Sequence, residues 1–246
     1  MTKYSFAFGD IHGRLDLLQS LMRQVREYIA SHNITDYEFV FLGDYVDRGP
    51  DSKGVIDYLM ALEKSDPVVC LKGNHEDLMV NADPGPGLEK PTVQEWRDME
   101  DRMGWWLQNG GIQTLNSYGI ADAYVNAYQG YRKIDKAHLA WMKALPTWYE
   151  TENHYFVHAG VNPHKPLNEQ NDNARMWIRQ EWLNSGKNMG KFVVHGHTPE
   201  READVLLHRA NLDTGAFYYG TFTCGVFRSD QRPPIELLQS KGKSGR

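Results

Sequence analysis

The sequence predicts an α/β protein in which two β-sheets pack against each other. Three observations lead there. Strand and helix patterns alternate at short intervals up to residue 71, short strands separated by turn residues dominate after residue 147, and one strand after another ends in a small residue beside an Asp, His or Asn.

The elements follow in order. Tyr4 to Phe8 is a strand, after which Leu18, Leu21, Met22, Val25 and Ile29 recur at helical spacing. Tyr37 to Leu42 is a second strand. A Gly/Pro/Asp loop then leads to a helix with Val55, Ile56, Leu59 and Met60 on one face and Asp51 or Ser52 as its cap. Val68 to Leu71 is a third strand. Residues 81–150 change character: a Pro/Gly-rich loop from Asn81 to Pro91 precedes Trp96, Met99, Met103, Trp106 and Leu107 at helical spacing. This reads as a helical insertion whose aromatic stripe forms the core of a small cap and also walls the substrate cleft. Beyond it, Trp148 to Glu150, Tyr155 to Val157, Phe192 to Val194, Val205 to Leu207 and Phe222 to Phe227 are strands, with one helical segment from Ala174 to Leu183. They suit a second sheet packed on the first. Residues 1–246 are expected to form one domain, with 241–246 as a disordered, solvated tail.

Composition narrows the class. Of 246 residues, 41% are hydrophobic and 24% charged, which is ordinary for a globular chain. The first candidate ligand falls at residue 10, which leaves no room for an export signal, and no apolar run approaches the roughly 18 residues of a membrane span. A soluble, cytoplasmic protein without membrane contact is expected. Cys70 and Cys224 are too few for a disulfide framework and lack zinc-type spacing, so both read as small buried hydrophobes. A net charge of -5 disfavours nucleic acid as a partner, because that affinity comes from clustered Lys and Arg. A small phosphorylated ligand stays compatible, since bound metal ions reverse the local sign.

The polar residues at the strand ends carry the chemistry. Phe6-Ala7-Phe8 ends in Gly9-Asp10-Ile11-His12-Gly13, and Phe39 to Leu42 ends in Gly43-Asp44-Tyr45-Val46-Asp47-Arg48-Gly49. Val68 to Lys72 ends in Gly73-Asn74-His75-Glu76, Tyr155 to Val157 in His158-Ala159-Gly160, and Phe192 to His195 in Gly196-His197-Thr198. Ligands of open α/β sheets bind outside the carboxyl ends of the strands, so these groups should converge although they lie far apart in sequence. Carboxylate, imidazole and amide oxygen without thiolate suit Mn, Fe, Zn or Co. Asp10, His12, Asp44, Asn74, His158 and His197 are too many ligands for one ion that keeps an open position. A carboxylate can bridge two ions, and Asp44 is assigned that place. Two metals about 3.5 to 4 Å apart would clamp a phosphoryl oxygen and deprotonate a shared water for in-line attack.

These five motifs, with Asn211-Leu212-Asp213-Thr214-Gly215, resemble the calcineurin-like metallophosphoesterases, and within them the phosphoprotein phosphatase branch of bacterial and phage serine/threonine phosphatases. The resemblance implies a four-layer αββα sandwich with a helical insertion. It implies that Asp10, His12 and Asp44 bind a first metal and that Asp44, Asn74, His158 and His197 bind a second, with manganese preferred. His75 would be the general acid and Asp47 would orient its imidazole and fix its tautomer. Arg48 would hold the phosphate through its fork of N–H donors, with Arg179 as a second phosphate-binding arginine. Branches of nuclease and cyclic-nucleotide type usually carry a second histidine two positions after Gly-His; Pro199 stands there instead, which points to the phosphatase branch.

The implied activity is a phosphomonoesterase acting on phosphorylated protein side chains and small aryl phosphates. The alternative is a symmetrical diadenosine polyphosphate hydrolase, whose members tend to carry Gln where this chain has His12. His195 is read as structural although it neighbours Gly196-His197, and His32, His138, His154, His164 and His208 have no motif context. Asp213 is left between a turn residue and a hydrogen-bond partner of a ligand histidine. Glu76 is read as a favourable charge at a helix N-terminus.

Overall fold

The structure is a computed structural model that describes residues 2–85, 92–123 and 125–245, with the side chains of Val93 and Trp96 outside the description. Trp96 of the expected aromatic stripe and residues 86–91 of the Pro/Gly-rich loop therefore lie outside the described residues.

The first sheet has the order β10 (Glu236–Lys241), β9 (Thr221–Arg228), β1 (Tyr4–Phe8), β2 (Tyr37–Phe41) and β3 (Val68–Cys70). Its three N-terminal strands are parallel and joined by helices α1 (Leu15–Ser31) and α2 (Ser52–Leu62), while β9 runs antiparallel to β1 and β10 antiparallel to β9. Parallel neighbours need such crossovers, and those helices cover one face of the sheet. The second sheet has the order β4 (Trp148–Glu150), β5 (His154–Val157), β6 (Phe192–His195), β8 (Arg209–Asn211) and β7 (Asp204–Val205), with β5, β6 and β8 parallel.

The central strands β1 and β2 are mostly apolar on both faces because both are covered, and the exceptions Ser5 and Glu38 are buried and hydrogen-bonded to each other at 2.7 Å. Phe6, Phe8, Phe39 and Phe41 pack toward Leu18, Leu21, Val25, Val55 and Ile56 of α1 and α2. The alternate residues Ala7 and Val40, with Leu42, Leu71 and Phe227, meet Phe156, Phe192, Val194 and Ala210 of the second sheet. The outer face of that sheet carries Tyr155, Val157 and Val193 against Val161 and Trp182. The layers are thus α, β, β, α, as expected. Cys70 and Cys224 are buried free thiols, and no helix among the described residues is long and apolar enough to cross a membrane.

Several boundaries differ from the sequence reading. The helix expected over Ala174–Leu183 is two, α8 (Asp172–Trp177) and α9 (Gln180–Leu183), because Ile178 is extended (ψ 142°) and Arg179 leaves helical geometry (φ −131°, ψ −103°). The strand expected over Val205–Leu207 ends at Val205, and Leu207 is 98% exposed. The strands β8 and β10 were not anticipated. The segment 241–246, expected as a disordered tail, begins with the last residue of β10, and Gly242 and Gly245 donate backbone hydrogen bonds to Gly220 and Phe217, while Arg246 lies outside the described residues. Between β3 and β4 the chain forms α3 (Asn74–Asn81), α4 (Val93–Trp106), a wide turn at Leu107–Gly111, α5 (Ile112–Ser117), α6 (Ala127–Tyr131) and α7 (Lys136–Ala144).

The layer between the sheets makes a testable demand. Phe156 is fully buried there, and truncating a core phenylalanine costs about 3–5 kcal/mol. Phe156→Ala should lower stability by that amount in urea unfolding, whereas Leu207→Ser should stay within about 0.5 kcal/mol of the parent.

Candidate metal centre and active site

The carboxyl ends of β1, β2, β3, β5 and β6 bring all six expected metal ligands to one place, where each is buried. Asp44 stands at the centre. Its carboxylate belongs to two groups of donor atoms compact enough to hold an ion, one with His12 and His75 and the other with His158 and His197. Asp44 Oδ2 lies 3.6 Å from His12 Nε2 and 3.9 Å from His75 Nε2, and Oδ1 lies 3.4 Å from His158 Nε2. Asn74 Oδ1 is 2.9 Å from His158 Nε2, whose neighbour on the other side is His197 Nδ1 at 3.2 Å. Asp10 accepts the backbone N–H of His197 at 3.1 and 3.2 Å. A side chain at position 196 would collide with Asp10, and one at 73 with Asp44, which explains the glycines that precede His197 and Asn74.

The donor chemistry fits cations. His158 Nδ1 is 3.0 Å from the Leu42 carbonyl and His12 Nδ1 is 2.9 Å from that of Val46, so each Nδ1 must carry the proton and each Nε2 offers a lone pair. The lone pair of His158 then faces the Asn74 amide oxygen and the Asp44 carboxylate, a gathering of acceptors that a positive ion satisfies. His12 Nε2 accepts from Arg48 at 2.6 Å. Burial holds His12, His158 and His197 below the ordinary histidine range, His12 with help from Arg48 and His75, and His197 with help from His158 and Arg179. Neutral imidazole is the form that ligates a metal. Burial pushes Asp10 well up, with the negative charges of Asp213 and Asp44 adding to the effect, and Asp213 is pushed up to about 6 chiefly by burial. Burial also opposes the charge of Asp44, but the imidazoles around it, His158 first, hold it below the usual carboxylate range. Several acids crowded into a buried site are the electrostatic complement of divalent ions.

Beside this centre lies a second unit. His75 Nδ1 is 2.8 Å from Asp47 Oδ2, and its Nε2 is buried without a hydrogen-bond partner while lying within reach of Asp44. Arg48 follows Asp47, half-buried, with its guanidinium 5.4 Å over the Tyr218 ring. It borders a cleft of about 450 Å³ shared with Gln108, Gln113 and Phe217. Arg179, at the break between α8 and α9, is exposed and near enough to depress both His158 and His197.

Local backbone strain concentrates here. Among the described residues seven non-glycine residues have positive φ, and five of them are His12, Asp44, Asp47, Arg48 and His197. Left-handed geometry costs an L-residue about 1–2 kcal/mol, so tertiary contacts must hold it in place. Glu76 is one such contact. It is fully buried and accepts backbone N–H groups from Gly73 (2.9 Å), Asp44 (2.8 Å) and Tyr45 (2.8 Å). The helix-dipole reading was therefore too small: Glu76 fastens the Asp44 loop to the start of α3. Its place three residues after Gly73 was the available signal. Asp213 accepts from Gly215 N–H at 3.0 Å and sits against Asp10, not against a ligand histidine. His195 is buried with Nδ1 3.1 Å from the Gly196 carbonyl and Nε2 3.4 Å from Arg209, apart from the ligand cluster.

Sequence comparison agrees with this geometry. Residues 6–220 match the family model of the calcineurin-like phosphoesterases, and the chain belongs to that family. It is a phosphoesterase hydrolase with a binuclear His/Asp metal site. It is 26% identical over 225 residues to the asymmetrical bis(5'-nucleosyl)-tetraphosphatase PrpE of Anoxybacillus flavithermus, covering 87% of this chain and 86% of that protein. It is 25% identical over 227 residues to serine/threonine-protein phosphatase 1 of Salmonella typhimurium, covering 90% of each. Among solved structures, one provisionally described as a diadenosine tetraphosphatase superposes with a TM-score of 0.66 at 20% identity, covering 98% of this chain and 95% of that one. A cold-active protein tyrosine phosphatase superposes at 0.53 with 14% identity, covering 99% and 79%. These likenesses establish the fold.

The buried histidines predict a pH effect. Burial, with the charge of Arg209, holds His195 down to about 3 from 6.5. The unfolded chain thus takes up a proton below pH 6.5 that the fold refuses, and stability is withdrawn as pH falls from 6.5 toward 3. Glu76 and Asp213, pushed up to about 7 and about 6, act in the opposite sense. Comparison with a His195→Leu variant isolates the histidine: the parent should lose up to about 1.4 kcal/mol per pH unit more than the variant across that window. Parallel urea-midpoint curves would mean that His195 titrates normally in the fold.

Proposed function

We propose that the chain is a metal-dependent phosphomonoesterase that dephosphorylates serine and threonine side chains of proteins and also accepts aryl phosphates. The observation that carries this reading is the buried His75–Asp47 pair beside the Asp44 centre. A serine or threonine alkoxide leaves only if it is protonated, and His75 Nε2 is the atom without a hydrogen-bond partner on the Asp44 side. A phosphoanhydride expels a phosphate anion that is already stabilised, so it has far less need of such an acid.

In this reading Asp10, His12 and Asp44 hold one divalent ion, and Asp44, Asn74, His158 and His197 hold the other, with manganese the preferred metal. Two such ions supply Lewis acidity toward the phosphoryl oxygens and lower the pKa of a water molecule. Arg48 and Arg179 bind the non-reacting phosphate oxygens; once His12 Nε2 gives a metal the lone pair that Arg48 otherwise bonds, the guanidinium is left for the phosphate. Asp47 accepts the Nδ1–H of His75 and stabilises its imidazolium, the form that binds substrate and gives its second proton from Nε2 to the leaving oxygen.

A second reading, hydrolysis of a dinucleoside polyphosphate, is favoured by the similarity to the asymmetrical tetraphosphatase, which is as strong as that to the phosphatase. It replaces the symmetrical cleavage expected from sequence with the asymmetrical mode named for that relative.

Side-by-side turnover of phosphoserine, phosphothreonine and phosphotyrosine peptides and diadenosine tetraphosphate with Mn²⁺ distinguishes the readings. The phosphoserine and phosphothreonine peptides should have the higher kcat/KM; a higher value for the tetraphosphate, with ATP and AMP as products, would establish the second reading. Asp44→Asn should abolish hydrolysis of every substrate while the chain stays folded. His75→Asn should slow phosphoserine turnover about 10²- to 10⁴-fold, and an unchanged rate would remove His75 from the acid role.

A further inference from the structure

We propose that Trp106 and Thr114, from the helical insertion between β3 and β4, are positioning residues for acid catalysis and act through Asp47. The proposal rests on the reading of His75 and Asp47 as the acid pair.

Asp47 is fully buried and its two carboxylate oxygens have separate partners. Oδ2 faces His75 Nδ1 at 2.8 Å. Oδ1 accepts Trp106 Nε1–H at 3.0 Å and the Thr114 hydroxyl at 2.7 Å. Trp106 and Thr114 are themselves fully buried. The Asp47 backbone N–H is shared between Thr114 Oγ1 at 2.9 Å and Ser52 Oγ at 3.0 Å. Because the single hydroxyl hydrogen of Thr114 goes to the carboxylate, Ser52 must be the donor in the 2.9 Å contact between the two hydroxyls. Both carboxylate oxygens of Asp47 are thus engaged, and each donor on Oδ1 comes from the insertion.

The insertion also bears on the backbone at this point. Asp47 and Arg48 are consecutive non-glycine residues at φ 71° and 68°. The Arg48 N–H donates to the Gly110 carbonyl at 3.3 Å, and a Cβ on Gly110, itself at φ 111°, would lie 2.5 Å from the Arg48 nitrogen. Only glycine lets the turn at Leu107–Gly111 approach so closely. Trp106 is fixed in turn by the Tyr131 ring, edge-on at 5.6 Å, whose hydroxyl donates to the Met79 carbonyl at 2.8 Å.

The consequence for catalysis is directional. With Oδ1 saturated, the carboxylate cannot rotate, and Oδ2 stays aimed at Nδ1–H, so that the imidazolium presents its second proton on Nε2. Losing one donor loosens that aim without touching the metal ligands or the phosphate-binding arginines. The insertion therefore completes the leaving-group half of the site.

The test is a leaving-group comparison on the Mn²⁺-loaded enzyme. Trp106→Phe keeps the aromatic bulk and Thr114→Val keeps the shape. Each should lower kcat for a phosphoserine peptide about 5- to 10-fold, the worth of roughly one hydrogen bond. For p-nitrophenyl phosphate, whose leaving group needs no proton, the change should be below about twofold, with KM and bound metal unaltered. Thr114→Ser, which retains the hydroxyl, should restore the phosphoserine rate. Equal slowing of both substrates, no slowing of either, or no rescue by serine would overturn the proposal. His75→Asn is the reference: if it too fails to separate the two substrates, the acid-pair reading itself falls. If it separates them and the Trp106 and Thr114 variants do not, only the present inference falls.

Discussion

The structure turns on one buried carboxylate. Asp44 sits at the end of β2, between two sets of donor atoms that come from both sheets. Around it the lone pairs of neutral imidazoles point at other acceptors, an arrangement that repels itself unless positive charge lies among them. The sheet order explains how it is assembled. The parallel strands of each sheet end on the same side, and the two sheets meet through a largely apolar layer, crossed by the Tyr149–Glu38 hydrogen bond, so strand ends distant in sequence share one rim.

Holding donors this close has a local cost, visible as left-handed backbone at His12, Asp44, Asp47, Arg48 and His197. The surroundings hold each in place by hydrogen bonding to the same loops. Glu76 takes the backbone of the Asp44 loop, and Thr114, Ser52 and Gly110 take that of Asp47 and Arg48. Rigidity in these two loops is therefore supplied by residues that do not ligate, and two of the three supports of Asp47 and Arg48 belong to the insertion.

Much of this was legible in the sequence because strand ends have a recognisable grammar: a run of apolar residues that ends in a small residue beside an Asp, His or Asn. That pattern located Asp10, His12, Asp44, Asn74, His158 and His197, all of which converge. The strands without the grammar were invisible. The Arg209–Asn211 strand, Arg-Ala-Asn, is three residues with one apolar side chain, and Glu236–Lys241, Glu-Leu-Leu-Gln-Ser-Lys, has no period-two alternation, so neither announces a strand. Glu76 and Trp106 were legible as helix residues but not as hydrogen-bond donors and acceptors to the site, because their partners lie 32 and 59 residues away. The break at Arg179 was hidden because Ala174–Leu183 keeps helical composition throughout.

The two halves of the site thus differ in origin. The metal half comes from strand ends and is written in short motifs; the proposed acid pair comes from the same motifs but is held by long-range bonds from a segment whose sequence shows only an apolar stripe. The Asp44 centre underlies both, and its direct measure is metal stoichiometry by inductively coupled plasma mass spectrometry after Mn²⁺ loading and desalting. The account predicts two ions per chain in the parent and a loss of at least one in Asp44→Asn with the fold retained. A single ion in the parent, or two retained by Asp44→Asn, would contradict a carboxylate shared between two metals.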